Sequence, residues 1–237
     1  MKALLALLLA GKLGKILFSG GSMLLSVAVY AQMFGWKYAV GFVILLFCHE
    51  MGHYIAARQR GLEVGLPTFV PFVGAWISLK NQSLNAETTA FVGLAGPLLG
   101  STCAFLVYLL ALHSESHWLL AISYAGFVLN LFNLIPVVPL DGGHVVAVIS
   151  PKIWVIGIPM LVALFLWRPN PLLIIIAIIA LPRAWAALRG KASAPPEGEL
   201  ASNALKVRFA AEYLGLVCFL TLMAFEVHAQ VYSGSGG

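Results

Sequence analysis

Charge is the scarcest commodity in this chain. Only 14 of 237 residues are Lys or Arg and nine are Asp or Glu, 10% in all, where a soluble domain carries about 25%. Hydrophobic residues make up 61% and the mean hydropathy is +0.94, so the composition excludes a soluble globular domain and points to an integral membrane protein embedded in the lipid bilayer. The formal net charge of +5 comes from scattered groups. A nucleic-acid partner would require basic residues clustered outside the membrane, and there is no such cluster. Cysteine is also rare: Cys48, Cys103 and Cys218 each sit in an apolar run. An odd number with no pairing pattern gives no disulfide framework, and these thiols read as small buried hydrophobes. No internal repeat is visible, which argues against the inverted-repeat transporters.

What is present is a series of long apolar runs, at about 16–34, 38–57, 88–112, 118–135, 153–167, 171–188 and 209–231. Lipid offers backbone groups no water to bond, so these runs are expected to be helices. The fold expected is an all-α polytopic membrane protein with about six to seven transmembrane helices. The run at 153–167 is short and contains Pro159, and the start of the first is blurred by the apolar Leu4 to Leu9. Lys2 followed by Ala3 to Ala10 has the form of a leader. However, Lys12 and Lys15 interrupt the run and another apolar segment follows at once, so a retained membrane element is expected. Residues 66–80 are apolar but broken by Pro67, Pro71 and Gly74 and too short to span; they read as a membrane-associated β-hairpin with Gly74 near its bend. The expected organisation is a membrane domain over 1–190 with its core at about 38–148, a polar cytoplasmic linker over 191–206, a C-terminal transmembrane helix over 207–232, and a flexible tail at 233–237.

The basic residues orient these spans. With a cytoplasmic amino terminus and seven spans, only Lys37 and Arg168 fall outside, and the other twelve of the 14 Lys and Arg residues lie at or near the cytoplasmic side. The opposite orientation breaks the positive-inside rule. A multi-pass protein of the cell membrane is expected, with His53 and Asp141 near the cytoplasmic ends of their segments.

Chemistry is concentrated in two places. His49-Glu50-Met51-Gly52-His53 directly follows the apolar run Tyr38 to Cys48. Histidines four apart lie about 40° apart around a helix, one turn along the same face, and can share one zinc ion. Glu50 can reach a water beside that metal and take its proton. The HExxH pattern alone is only moderately specific, so a third ligand decides the matter. Aspartate occurs once, as Asp141 in Asn133-Leu134-Ile135-Pro136-Val137-Val138-Pro139-Leu140-Asp141-Gly142-Gly143-His144. A carboxylate at membrane depth costs about 2.5–3.5 kcal/mol on insertion scales and needs a partner. A zinc ion held by His49 and His53 is a suitable one.

Together, HExxH over His49 to His53 and NxxPxxPLDGG over Asn133 to Gly143 resemble the motifs of the site-2 protease family of intramembrane zinc metalloproteases, peptidase family M50. The resemblance runs from about Val40 to Val148 and includes Pro71 to Ala75 and Ala95 to Gly100. It implies that His49, His53 and Asp141 hold Zn2+, that Glu50 is the catalytic base, and that Asn133 assists substrate binding or oxyanion stabilisation. It also implies hydrolysis of a peptide bond in or near the transmembrane segment of a membrane protein substrate.

Plainer readings stand beside these. Either histidine alone reads as a buried group hydrogen-bonded between helices, as do Asn133 and nearby Asn130. Gly52, Gly93, Gly96 and Gly100 read as positions permitting close helix packing. His144 follows the aspartate motif with its role open. His113-Ser114-Glu115-Ser116-His117 repeats the histidine spacing but has its glutamate at the wrong offset, in a polar outer loop. Glu226 and His228 read as interfacially solvated. The rivals to proteolysis are a zinc transporter, which needs ligands at several depths, and a non-hydrolytic membrane zinc-binding protein, whose signature is loss of the base.

Overall fold

The structure, a computed structural model, describes residues 2–72, 74–77, 85–190 and 201–233. Most of the predicted linker (191–200) and the last four residues of the chain lie outside the described residues. The helices are α1 (Lys2–Phe34), α2 (Trp36–Gln59), α3 (Ala86–His113), α4 (His117–Asn133), α5 (Asp141–Ile149), α6 (Trp154–Trp167), α7 (Pro171–Leu188) and α8 (Asn203–Ser233), with strands β1 (Thr68–Val70) and β2 (Gly74–Trp76) between α2 and α3.

The all-α polytopic membrane architecture is borne out, and each of the seven apolar runs forms a helix. Five helices, α1, α2, α3, α7 and α8, are long and apolar enough to cross a membrane. The other two are shorter than expected: α4 has 17 residues and α6 has 14, against the roughly 20 a span needs. Proline explains both lengths. Pro136 disfavours helix in the residue before it and draws the chain out of α4. Beyond α6 lie Pro169 and Pro171, with Pro171 serving as the first residue of α7 while the Asn170 side chain accepts from Leu172 N at 2.9 Å.

Small residues bring the central helices together. A methyl on Gly52 of α2 would lie 2.8 Å from the Cα of Gly96 on α3, so the two backbones are already in contact. The largest buried cluster joins Leu45 of α2, Leu94 of α3, Phe127 of α4 and Val145 and Val146 of α5 to Leu216, Leu220 and Val227 of α8. The C-terminal helix therefore shares the core of the helices before it. Tyr213 of α8 also donates its hydroxyl to the Leu134 carbonyl at 2.6 Å, in a buried position.

The expected hairpin is present. β1 and β2 pair antiparallel with Phe69 opposite Ala75, and the bend uses positive φ at Phe72 (64°) and Gly74 (117°), the second of which suits a residue without a Cβ. Its outer strand is fastened to α1. Ser19 Oγ donates to Pro67 O at 2.6 Å, Phe69 N donates to Ser22 Oγ at 3.1 Å, and Phe72 N donates to Tyr30 Oη at 2.9 Å. Because Phe69 N–H points to α1, Phe69 and Ala75 form a non-hydrogen-bonded pair, and Ala75 presents its own N–H and C=O on the far edge of β2.

Candidate metal centre

His49 and His53 lie one turn apart on the inward face of α2, their rings 4.8 Å apart between centroids and nearly perpendicular at 78°. Asp141 reaches them from the other side. The chain leaves α4 at Asn133, folds back through 134–140, and re-enters helix at Asp141, the first residue of α5. This short helix was not anticipated from the apolar pattern. Leu140 N donates to Val137 O at 2.9 Å and Gly143 N to Leu140 O at 3.0 Å, and Trp154 Nε1 donates to Gly143 O at 2.8 Å. Side chains at Gly142 or Gly143 would collide with this loop; a methyl on Gly142 would come within 2.8 Å of Ile135 O. The two glycines thus let α5 start hard against the loop, which sets the position of the carboxylate.

Three ligand atoms converge. His49 Nε2 and His53 Nε2 are 3.1 Å apart, and Asp141 Oδ2 lies 3.1 Å from the first and 3.3 Å from the second. The far side of each ring shows where its proton sits. His53 Nδ1 lies 2.8 Å from Val92 O; a carbonyl can only accept, so Nδ1 carries the hydrogen. His49 Nδ1 lies 2.8 Å from Asn130 Oδ1 and likewise donates. As neutral imidazoles, the form that binds a metal, both rings then turn an Nε2 lone pair towards Asp141 Oδ2, which is buried without a hydrogen-bond partner. Three acceptors pointing at one another repel unless a cation lies between them. Two imidazoles and one carboxylate are a catalytic-zinc donor set, and tetrahedral bonds of about 2.0–2.1 Å set ligand atoms about 3.3 Å apart. The side chains fit zinc. Among the described residues this is the one group of three His, Cys, Asp or Glu side chains placed to hold a metal.

Glu50, next to His49, is 5% exposed and within electrostatic reach of His49, His53 and Asp141. Asn133, at the end of α4, donates Nδ2 to Leu129 O at 3.0 Å within its own helix. The asparagine bonded to His49 is Asn130, one turn earlier, for which the sequence suggested only an interhelical bond. A signal was available: an amide in an apolar helix needs a partner, and a ligating histidine needs an acceptor on its other nitrogen.

The glycines divide. Gly52, Gly96 and Gly100 do permit close packing: a methyl on Gly96 would overlap the His53 ring, and one on Gly100 the Asn130 amide. Gly93 is in looser contact, with a methyl there 3.4 Å from Asp141 O and from His144 Cβ. Glu226 pairs with Gln230 at 2.7 Å, and His228 packs on the Tyr124 ring at 5.5 Å. Cys48, Cys103 and Cys218 are free thiols.

Residues 37–125 match the family model of peptidase family M50, a match that stops short of Asp141. The chain is 27% identical over 123 residues to zinc metalloprotease MJ0392 of Methanocaldococcus jannaschii, covering 48% of this chain and 35% of that protein. It is 31% identical over 130 residues to zinc metalloprotease Rip3 of Mycobacterium tuberculosis, covering 50% and 32%, and 34% identical over 150 residues to zinc metalloprotease sll0528 of Synechocystis, covering 56% and 37%. It thus spans about a third of the length of these curated relatives. Among solved structures, the site-2 protease from Methanocaldococcus jannaschii aligns with a TM-score of 0.43 and 20% identity, covering 73% of this chain and 88% of that one.

Proposed function

We propose that the chain is an intramembrane zinc endopeptidase of peptidase family M50, a reading supported by the match of residues 37–125 to that family's model. Its substrate is a membrane protein, cut in or near a transmembrane segment. The observation that carries this reading is the triangle of His49 Nε2, His53 Nε2 and Asp141 Oδ2, each about 3 Å from the others, with Glu50 beside it on the apolar helix α2.

His49, His53 and Asp141 are the ligands. Bound zinc supplies Lewis acidity, lowering the pKa of water and polarising a carbonyl oxygen. Glu50 takes the proton of the attacking water and later returns it to the leaving amine. Its burial keeps bulk water from competing for that proton. Asn133 spends one amide hydrogen on Leu129 O and retains a second for an oxyanion or a substrate carbonyl. A helical substrate has its carbonyls engaged internally, so it must be held extended before attack. The Ala75 edge of β2 suits strand addition, since the other edge of the hairpin is taken by α1.

The protein is an integral membrane protein, and we place it in the cell membrane with the site towards the cytoplasm. The Lys and Arg distribution supports this orientation.

The test is substitution with paired readouts. Glu50→Gln keeps all three ligands and loses the base, so it retains about one zinc per chain while cleavage falls by about 10²–10⁴-fold. Asp141→Asn loses most of both. Wild-type turnover in purified Glu50→Gln protein refutes the mechanism.

A further inference from the structure

We infer that Asn130 is a positioning residue for the metal centre: its amide oxygen fixes the tautomer and rotation of His49. This rests on the zinc reading above and assigns a role to a residue outside both sequence motifs.

The amide is held from three sides. Asn130 is fully buried on α4, and its Nδ2 donates to Gly126 O of its own helix at 2.7 Å. That bond decides which end of the amide faces α2. With nitrogen engaged below, Oδ1 is the atom turned to His49 Nδ1, 2.8 Å away. An oxygen there demands a hydrogen on Nδ1, so the neutral ring, the form that binds a metal, keeps its lone pair on Nε2 at the metal side. The third constraint is Gly100 of α3, where a methyl would lie 2.9 Å from Asn130 Cγ and 2.9 Å from Nδ2. The absence of a side chain at Gly100 is what allows the amide its place.

The two histidines are therefore secured differently. His53 is oriented by a backbone carbonyl, Val92 O, which no substitution of a side chain removes. His49 is oriented by a side chain carried on a different helix, so the sequence can tune it. The acceptor is also neutral. A carboxylate here would add a negative charge beside a ligand set that already contains Asp141. An amide gives the same alignment and leaves the cation more electrophilic.

The experiment measures zinc affinity of the purified full chain in detergent by competition with a chromophoric chelator, alongside thermal melting of the metal-free protein. Loss of an outer-shell partner of a ligating histidine typically weakens metal binding 10–100-fold, so Asn130→Ala is expected to lose about that much, and the few degrees of metal-free melting lost with its buried hydrogen bonds are read separately. Gly100→Ala leaves every polar group in place but displaces the amide, and should weaken zinc binding comparably. In the double variant the amide is already gone and the methyl has room, so it should be no weaker than Asn130→Ala alone. Wild-type affinity in Asn130→Ala overturns the inference, as do effects that simply add in the double variant. Absence of stoichiometric zinc in the wild type refutes the zinc reading itself, a separable result.

Discussion

The sharpest test of the metal centre is a single methyl group at Gly96. A Cβ built there overlaps three atoms of the His53 ring, and even the farthest of them, Cδ2, would be 2.7 Å away, where ordinary contact begins near 3.4 Å. The ring must therefore retreat by 0.7 Å or more. It cannot retreat freely, because Nδ1 is bound to Val92 O at 2.8 Å. Nor can the helices separate cheaply, since Gly52 packs its backbone against Ala95 and Gly96. Metal–ligand distances tolerate about 0.2 Å, and misplacing a catalytic constellation by about 1 Å costs on the order of 10²-fold in rate. Gly96→Ala is thus expected to reduce zinc affinity and cleavage by about 10²-fold or more, with about 1–3 kcal/mol of overpacking strain. Gly93→Ala is the matched control: its methyl meets its nearest neighbours at 3.4–3.5 Å, so zinc content and turnover should stay within about threefold, the scale of a few tenths of a kcal/mol typical of substitutions without clash. Metal is counted by mass spectrometry on purified protein, and cleavage is followed with a transmembrane reporter. Full zinc and wild-type turnover in Gly96→Ala refutes the proposed placement of His53.

Three further outcomes are expected. Ala75→Pro removes the N–H on the outward edge of β2 and should depress cleavage several-fold with zinc content intact; unchanged turnover across several substrates demotes the hairpin to a membrane anchor. With the native cysteines replaced, Glu115→Cys should react with an impermeant thiol reagent on intact cells while Arg189→Cys should not, and the reverse pattern inverts the topology. Tyr213→Phe removes one buried hydrogen bond, worth about 1 kcal/mol, and should lower the melting temperature by a few degrees; an unchanged melting curve means that the tie to Leu134 contributes nothing.

Much of the site was legible because its chemistry is local. His49, Glu50 and His53 lie within one and a half turns of one helix, where spacing alone sets geometry. Asp141 stood out as the one aspartate in an apolar chain. The hairpin announced itself through Pro67, Pro71 and Gly74, which punctuate a run too short to span. Less legible was everything decided by contact between distant segments. The helix at Asp141–Ile149 was hidden because Pro136 and Pro139 read as the end of a helix and gave no sign that another begins two residues later. Asn130 could be recognised as polar in an apolar run, but not as the partner of a histidine 81 positions away. That α8 shares the core with α2 to α5 likewise depends on which face it turns inward, and nearly uniform apolarity conceals the face.

The fastening of the hairpin to α1 bears on how small a piece of this protein is worth making. The stretch that matches the family, 37–125, looks like a natural unit to express or transplant. Cut to those limits, it would keep His49 and His53 but lose Asp141, the third corner of the candidate metal centre. It would also strip Ser22 and Tyr30 from the amides of Phe69 and Phe72, and each unpaired group away from water costs about 1–3 kcal/mol. The recognisable segment is shorter than the stretch that brings the site and its supports together, which runs from Ser19, bonded to the hairpin, to Tyr213, bonded to the loop before Asp141.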